Sequence, residues 1–281
     1  PIVVTGSDYR FLVAEQMRAV GIRGDIVLEP MRRDSCAAIA AAARLALTRD
    51  ARALVLVLAA DHAMPDVEGF LEHVRRGAAA AEAGRIVTFG IRPTRPATGY
   101  GYIRPGPALA EPGVNAIAAF VEKPDEATAE RYVAEGYLWN SGNFLFRADV
   151  FLDELDRLAP EIGRPVAEAV SHAERDLDFL RLEAEAFGIA VAKSVDYAVM
   201  EKTDRAAVVP SDFAWSDVGA WGAIWDLAVK DAYGNAARGD AAFLDAERCY
   251  VHSPDRLTAV VGLDDVVVVT TRDAVLVVAR E

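Results

Sequence analysis

The chain is poor in the residues that usually announce a metal or redox site. Among 281 residues there are two cysteines, Cys36 and Cys249, and four histidines. Two isolated thiols exclude a disulfide framework and fit a reducing, cytoplasmic compartment. Neither lies in a paired or His-flanked spacing, so both read as small buried hydrophobes. Basic residues are outnumbered as well: 30 Lys and Arg face 43 Asp and Glu, a formal net charge of −13. That balance argues against a nucleic-acid surface, which needs a basic stripe to displace counterions. It leaves room for a small anionic substrate, because a local lysine cluster or a metal outweighs the global sign. Long apolar runs are missing too. The longest, LVLVLAA at 54–60 and CAAIAAAARLAL at 36–47, are too short or too interrupted to span a bilayer. The opening PIVVTG has no Met and no signal peptide, and reads as a complete strand that further residues are expected to precede.

What is present is a core and an alternation. At 53% apolar and 26% charged residues the chain can bury a large interior, in one large or two ordinary domains. Residues 2–6 read as a strand. Asp8–Val20 reads as a helix with Phe11, Leu12, Met17 and Val20 on its apolar face. A short strand at 25–30, an alanine-rich helix capped by Ser35, and a continuous apolar run at 53–61 follow. That run has no polar alternation, as expected of a strand covered on both faces. A helix at 67–84 ending on Gly84 and a strand at 85–91 complete the pattern. Such regular alternation predicts an α/β fold: a doubly wound, mostly parallel, Rossmann-like sheet with crossover helices. Later strands are expected at 115–121, 143–147 and 205–209, and helices at 125–135, 149–158 and about 174–186. From about Lys230 the texture becomes turn-rich, then turns to short β runs. This places a domain boundary between 229 and 230, with a small C-terminal β unit at 230–281. Strands so short need a partner surface, so the unit is expected to pack on the α/β domain and is a candidate for joining two subunits.

Three clusters can carry chemistry. Ligands of open parallel sheets gather beyond the carboxyl ends of the strands, and there the run LAADH (58–62) offers Asp61 for a metal or a phosphate-bound cation. An Asp capping the following turn accounts for it equally well. His62 has no Cys or His at ligand spacing and reads as structural. The second cluster is WSDVGAW (215–221), in which Asp217 stands between two tryptophans and just before Gly219. Tryptophans are usually core, but an ionised carboxylate among them needs a partner or a cation. Together Asp61 and Asp217 would give two hard oxygen ligands of the kind Mg²⁺ takes while keeping waters and substrate phosphates. The third is the rim made by VEKP (121–124) and WNSG (139–142). Glu122 can accept hydrogen bonds from vicinal hydroxyls, Asn140 both donates and accepts, and Gly142 permits close approach. Lys123 is a point charge suited to a phosphate. A phosphorylated hexose fits this set; a surface ion pair beside an ordinary turn is the plainer explanation. The TGYG turn at 98–101 is weak evidence alone.

Read in order, LEPMRRDS (28–35), LAADH, TFGIRPTRPATGYGYI (88–103), FVEKP, LWNSGNFLF, SVDYAVMEKTD (194–204) and WSDVGAW resemble the mannose-1-phosphate guanylyltransferases. The bacterial form of that family is often joined to a mannose-6-phosphate isomerase domain, and the likeness runs nearly end to end. The resemblance implies a nucleotidyltransferase in which GTP and mannose 1-phosphate give GDP-mannose and pyrophosphate, with Mg²⁺. It implies metal binding by Asp61 and Asp217 and catalytic roles for Asp61, Lys123 and Asp217. It also implies sugar-phosphate binding by Glu122, Lys123, Asn140 and Gly142, with Gly99, Tyr100 and Gly101 on the sugar side. Glu29, Arg33 and Asp34 fall on the nucleotide side. The family's glycine-rich phosphate loop has no counterpart in this sequence and is expected upstream of Pro1. A homologue that binds nucleotide sugars without making them, or one serving another sugar 1-phosphate, is the alternative.

Overall fold

A computed structural model describes residues Pro1–Arg280. The elements in chain order are β1 (Ile2–Gly6), α1 (Arg10–Ala19), β2 (Asp25–Glu29), α2 (Asp34–Leu47), β3 (Leu54–Val57), α3 (Val67–Glu82) and β4 (Ile86–Ile91). Then come β5 (Gly101–Ala108), β6 (Asn115–Glu122), α4 (Glu126–Ala134), β7 (Leu138–Arg147), α5 (Ala148–Leu158) and α6 (Pro160–Ser171). They are followed by β8 (Glu174–Asp176), β9 (Phe179–Arg181), α7 (Ala184–Ile189), a π-helical turn (Asp196–Met200) and β10 (Ala206–Ser211). The chain closes with α8 (Trp221–Leu227), β11 (Ala236–Leu244), β12 (Tyr250–Val261), β13 (Val266–Thr270) and β14 (Val275–Ala279). Two compact units result: one from Pro1–Ala59 with Asp66–Phe213, the other from Ala60–Pro65 with the chain from Ala214 onward.

The first unit is the expected α/β architecture, and its sheets are mixed. A four-stranded sheet runs β1-β2-β9-β8 and a six-stranded sheet runs β3-β7-β4-β10-β6-β5. In the larger sheet β4 and β10 are parallel, while β7 returns antiparallel to both β3 and β4. Parallel order is therefore diluted by β6, antiparallel to both β10 and β5, and by the long returning strand β7. That strand also demotes β3 to a sheet edge, so its first residue, Leu54, is exposed. The helix expected near 174–186 is instead the short hairpin β8–β9 followed by α7. Phe179 in this hairpin is buried against Ile26 and Leu28, and that burial overrides helical patterning.

Small residues make the interior possible. Cys36, Ala37, Ile39, Ala40, Ala41 and Ala43 are all buried on α2, which packs on α5 and α6 and also against β1 and β3. Alanines let these backbones approach closely without the rotamer cost of longer side chains. Ser35 does not cap α2: the helix starts at Asp34, and the Ser35 hydroxyl accepts from the Val195 amide at 3.0 Å. Phe11 and Leu12 of α1 and Val20 just past its end are exposed, and Val13, Ala14 and Met17 face Ile26, Leu28 and Phe179.

In the second unit, β11, β12 and β13 are stacked in parallel and β14 returns antiparallel on β13. Asn235 closes the turn before this stack, donating to the Ala246 carbonyl at 2.8 Å and accepting from the Cys249 amide at 2.9 Å. Helix α8 lays Trp221, Ile224 and Trp225 on Ala236, Tyr250, Val267 and Val269. Both thiols are free and buried, as expected, and burial pushes Cys36 up to about 12.

Candidate active site

Strands β5, β6 and β7 assemble a polar rim. Gly101 opens β5 directly opposite Glu122, the last residue of β6, and Tyr102 pairs with Trp139 of β7. A Cβ on Gly101 would lie 2.5 Å from Glu122 Oε2 and 3.3 Å from Asn140 Cβ. The glycine is thus the space into which that carboxylate folds. The next residue, Lys123, holds a left-handed backbone at φ 48°, and its amide donates to the Tyr100 carbonyl at 3.2 Å. That shape carries a conformational cost for lysine. The gain is that Glu122 and Lys123 share one corner, with Nζ 3.7 Å from Glu122 Oε1. Tyr100 sets its ring edge-on to Trp139 at 5.0 Å, and Gly99 has open space around it. After this corner the chain enters α4, whose N-cap Asp125 accepts from the Thr128 amide at 2.8 Å and whose end is followed by Gly136 at φ 79°.

WNSG is a bulged strand rather than a loop. All of it lies in β7, where the pairing with β4 slips between Thr88 and Gly90. Gly142 takes φ 69° beside this slip, a conformation that favours glycine. The bulge lets Asn140 turn its amide inward, where Oδ1 accepts from Thr88 Oγ1 at 2.8 Å and from the Gly142 amide at 3.3 Å. Its Nδ2 donates to Asp196 Oδ1 at 3.0 Å. The Gly142 amide, which can only donate, fixes which end of the side-chain amide is oxygen; the Thr88 hydroxyl also reaches the Asn143 carbonyl, at 3.0 Å.

Electrostatics mark Glu122. Burial, then the neighbouring Asp196 and Glu201, lifts its carboxyl to about 7, against the pull of Lys123. Burial also raises Asp196, opposed by hydrogen bonds that include those of Ser194 and Asn140. A carboxyl poised near neutrality among convergent polar groups is characteristic of functional sites.

The β2–α2 turn carries the expected nucleotide-side residues. Burial raises the Glu29 carboxyl at the end of β2, with Arg32 opposing. Arg33 donates through Nη2 to the Gly188 carbonyl. Asp34 sits at φ 62° and accepts from the Ser35 amide at 2.7 Å.

Asp61 and Asp217 both belong to the second unit. An isolated antiparallel bridge joins Ala63 to Ser216, each amide donating to the other's carbonyl at 2.8 and 3.0 Å. Segments far apart in sequence are thereby laid side by side, with Asp61 two residues before one anchor and Asp217 one residue after the other. Asp217 Oδ1 accepts from the Gly219 amide at 3.3 Å, and between them Val218 holds φ 51°. For a β-branched residue that is a strained conformation. His62 is structural, accepting at Nδ1 from Trp215 Nε1 at 3.3 Å with the rings edge to face. Among the described residues no group of three or more His, Cys, Asp or Glu could hold a metal. The two carboxylates still fit Mg²⁺ chemistry, which calls for one or two from protein and the remainder from water and phosphates.

Thr88, Asp196 and Glu201 did not emerge from composition or spacing. The one signal for Asp196 is a lone charge inside the apolar stretch SVDYAVM.

The mixed α/β core and the parallel-stacked β unit have the architecture of a nucleotidyltransferase, and the chain belongs to the nucleotidyl transferase family, whose model matches residues 1–233. Residues 239–281 match the MannoseP isomerase/GMP-like beta-helix domain. The particular likeness is to mannose-1-phosphate guanylyltransferases. An enzyme of that name from Salmonella montevideo is 46% identical over 284 residues, 99% of this chain and 60% of that protein. Xanthan biosynthesis protein XanB of Xanthomonas campestris pv. campestris is 48% identical over 283 residues, 100% of this chain and 60% of that protein. A crystal structure of mannose-1-phosphate geranyltransferase from Thermus thermophilus superposes with TM-score 0.86 at 33% identity, covering 99% of this chain and 79% of the other. The chain spans about 60% of the length of the curated relatives it matches.

Proposed function

We propose that this chain is the nucleotidyl-transfer part of a mannose-1-phosphate guanylyltransferase. One observation carries the reading furthest: Gly101, Glu122, Lys123, Asn140 and Gly142 meet on one rim, with a lysine beside a carboxylate that fills a glycine's space. Glu122 and Asn140 would take the sugar hydroxyls and Lys123 the phosphate. A phosphate oxygen of mannose 1-phosphate would then attack the α-phosphorus of GTP. A new P–O bond forms, the bridging P–O bond to the β-phosphate breaks, and pyrophosphate leaves with that electron pair. A phosphate monoester is largely ionised at neutral pH, its second pKa being about 6, so the step needs no general base. It needs in-line positioning and charge neutralisation. Nucleotidyl transferases generally use a divalent metal. Asp61 and Asp217 would hold one here, Mg²⁺ on this reading, to neutralise charge on the transferring phosphates.

The Glu29 carboxyl would read the base, because the guanine edge offers N–H donors that adenine does not. Glu29→Gln is expected to weaken the preference for GTP over ATP; an unchanged ratio removes Glu29 from that role. The reading also includes GTP and mannose 1-phosphate as the small-molecule partners, a homodimer through the C-terminal β unit, and a cytoplasmic setting. No helix among the described residues is long and apolar enough to cross a membrane. The test is pyrophosphate release from the whole protein with GTP, mannose 1-phosphate and Mg²⁺. Release that requires all three supports the proposal. No release with any sugar 1-phosphate points instead to a nucleotide-sugar-binding homologue.

A further inference from the structure

One element touches the rim from behind. The π-helical turn Asp196–Met200 closes with the Glu201 amide donating to the Asp196 carbonyl at 2.9 Å. This wide turn sets Asp196 and Glu201 about one turn apart, and both carboxylates reach the rim. Asp196 Oδ1 accepts from Asn140 Nδ2 at 3.0 Å, and Glu201 Oε1 accepts from the Glu122 amide at 3.3 Å. The first bond fixes an amide whose oxygen is already committed to Thr88 and Gly142. It uses one of the two Asn140 N–H donors. The second holds the backbone just before Lys123, the residue in a left-handed conformation. π-Turns are rare and recur at functional sites, where the extra residue aims side chains that an α-helix would misdirect.

From this geometry we infer that Asp196 and Glu201 are positioning residues for sugar-phosphate binding: Asp196 orients Asn140, and Glu201 anchors the Glu122–Lys123 corner. The inference rests on the functional reading above for the identity of the ligand, though not for the geometry. Neither residue is assigned contact with substrate. Their charges act too. The groups facing Glu122 are Asp196, Glu201 and Lys123: burial raises its carboxyl most, the two carboxylates add to that, and the lysine opposes them. Asp196 itself is faced by Ser194, Asn140 and Asp34. Asp34 opens α2, so the buried aspartate also meets one charge from outside the rim, the weakest of these influences.

Two measurements test this, one of which needs no substrate. In the ligand-free protein, NMR titration of the Glu122 carboxyl carbon is expected to give a midpoint near 7, moving to lower pH in Asp196→Asn and in Glu201→Gln. In steady-state assays Asp196→Leu, which keeps size but removes acceptor and charge, is expected to raise KM for mannose 1-phosphate about tenfold, the scale of a lost charge-assisted hydrogen bond. KM for GTP stays at the wild-type value, and Asp196→Asn, which keeps an acceptor, recovers most of the loss. A Glu122 midpoint that moves in neither variant, or a folded Asp196→Leu that binds both substrates as wild type or weakens both equally, overturns the inference. If Asp196→Leu does not fold, the isosteric Asp196→Asn decides through the titration alone. A wild-type protein that turns over no sugar 1-phosphate sinks the functional reading, while the ligand-free titration still decides this one.

Discussion

Gly101 cannot acquire a side chain while Glu122 keeps its place, because a methyl group would come 2.5 Å from Glu122 Oε2. The conflict involves the mobile end of a side chain rather than backbone, so the fold can yield by swinging the carboxylate away. Gly101→Ala is therefore expected to melt close to wild type yet to bind sugar phosphate more weakly. Calorimetry and KM measured on the same sample check this, and a large drop in Tm would show that Gly101 serves packing instead. Glu122 gives a second test, with a definite sign. Its carboxyl is raised from 4.5 to about 7, so between those values the folded protein holds a proton that the unfolded chain has released. Stability contributed by this group then falls as pH rises through that window and stays reduced above it. Glu122→Gln is expected to raise Tm relative to wild type at about pH 8, with the difference shrinking toward zero on acidification below 4.5. A difference that does not depend on pH would contradict the assignment. A site that gives up stability for a poised carboxylate is a common bargain in enzymes. At this scale the sequence was informative where residue type sets a position apart: Glu122, Lys123, Asn140 and Gly142 stood out by being polar or flexible inside apolar runs, and the fold gathers them. Asp196 was hidden, since its link to Asn140 is a hydrogen bond across 56 positions of sequence.

At the scale of elements, local rules and tertiary context divided the outcome. Strand β6, helix α4 and strand β10 lie where the sequence pattern placed them, and Asp125 caps α4. The WNSG segment reads locally as a turn, yet it lies inside β7, because pairing with β4 pulls the polar residues into register and the strain escapes through a bulge at Gly142. Residues 174–186 lost their expected helix to the β8–β9 hairpin, and nothing within that segment reveals that Phe179 has a partner in β2. Helix α8 shows the same dependence. At seven residues it is too short to persist alone, and its Trp221, Ile224 and Trp225 are covered by Ala236, Tyr250, Val267 and Val269. A chain ended after Val229 would keep α8 and lose its cover. Such a truncation is expected to show red-shifted tryptophan fluorescence and to aggregate. A soluble product with native emission and unchanged mass in solution would contradict this, and would remove the argument for subunit contact through the β unit.

For the whole molecule, the alternation of strands and helices was enough to read an α/β architecture with a terminal β unit, while the ordered motifs carried the resemblance to a nucleotidyltransferase, and the family matches agree. The mixed character of the sheets was not legible, because strand direction depends on which strands meet rather than on their composition. The account stands on the proposition that the β5–β7 rim takes a sugar phosphate, with Lys123 supplying the charge. Isothermal titration of mannose 1-phosphate into the whole protein and into Lys123→Ala measures this most directly. Removing a phosphate-binding charge is expected to weaken binding by at least about tenfold in the variant. Equal affinity in the two proteins would contradict the account.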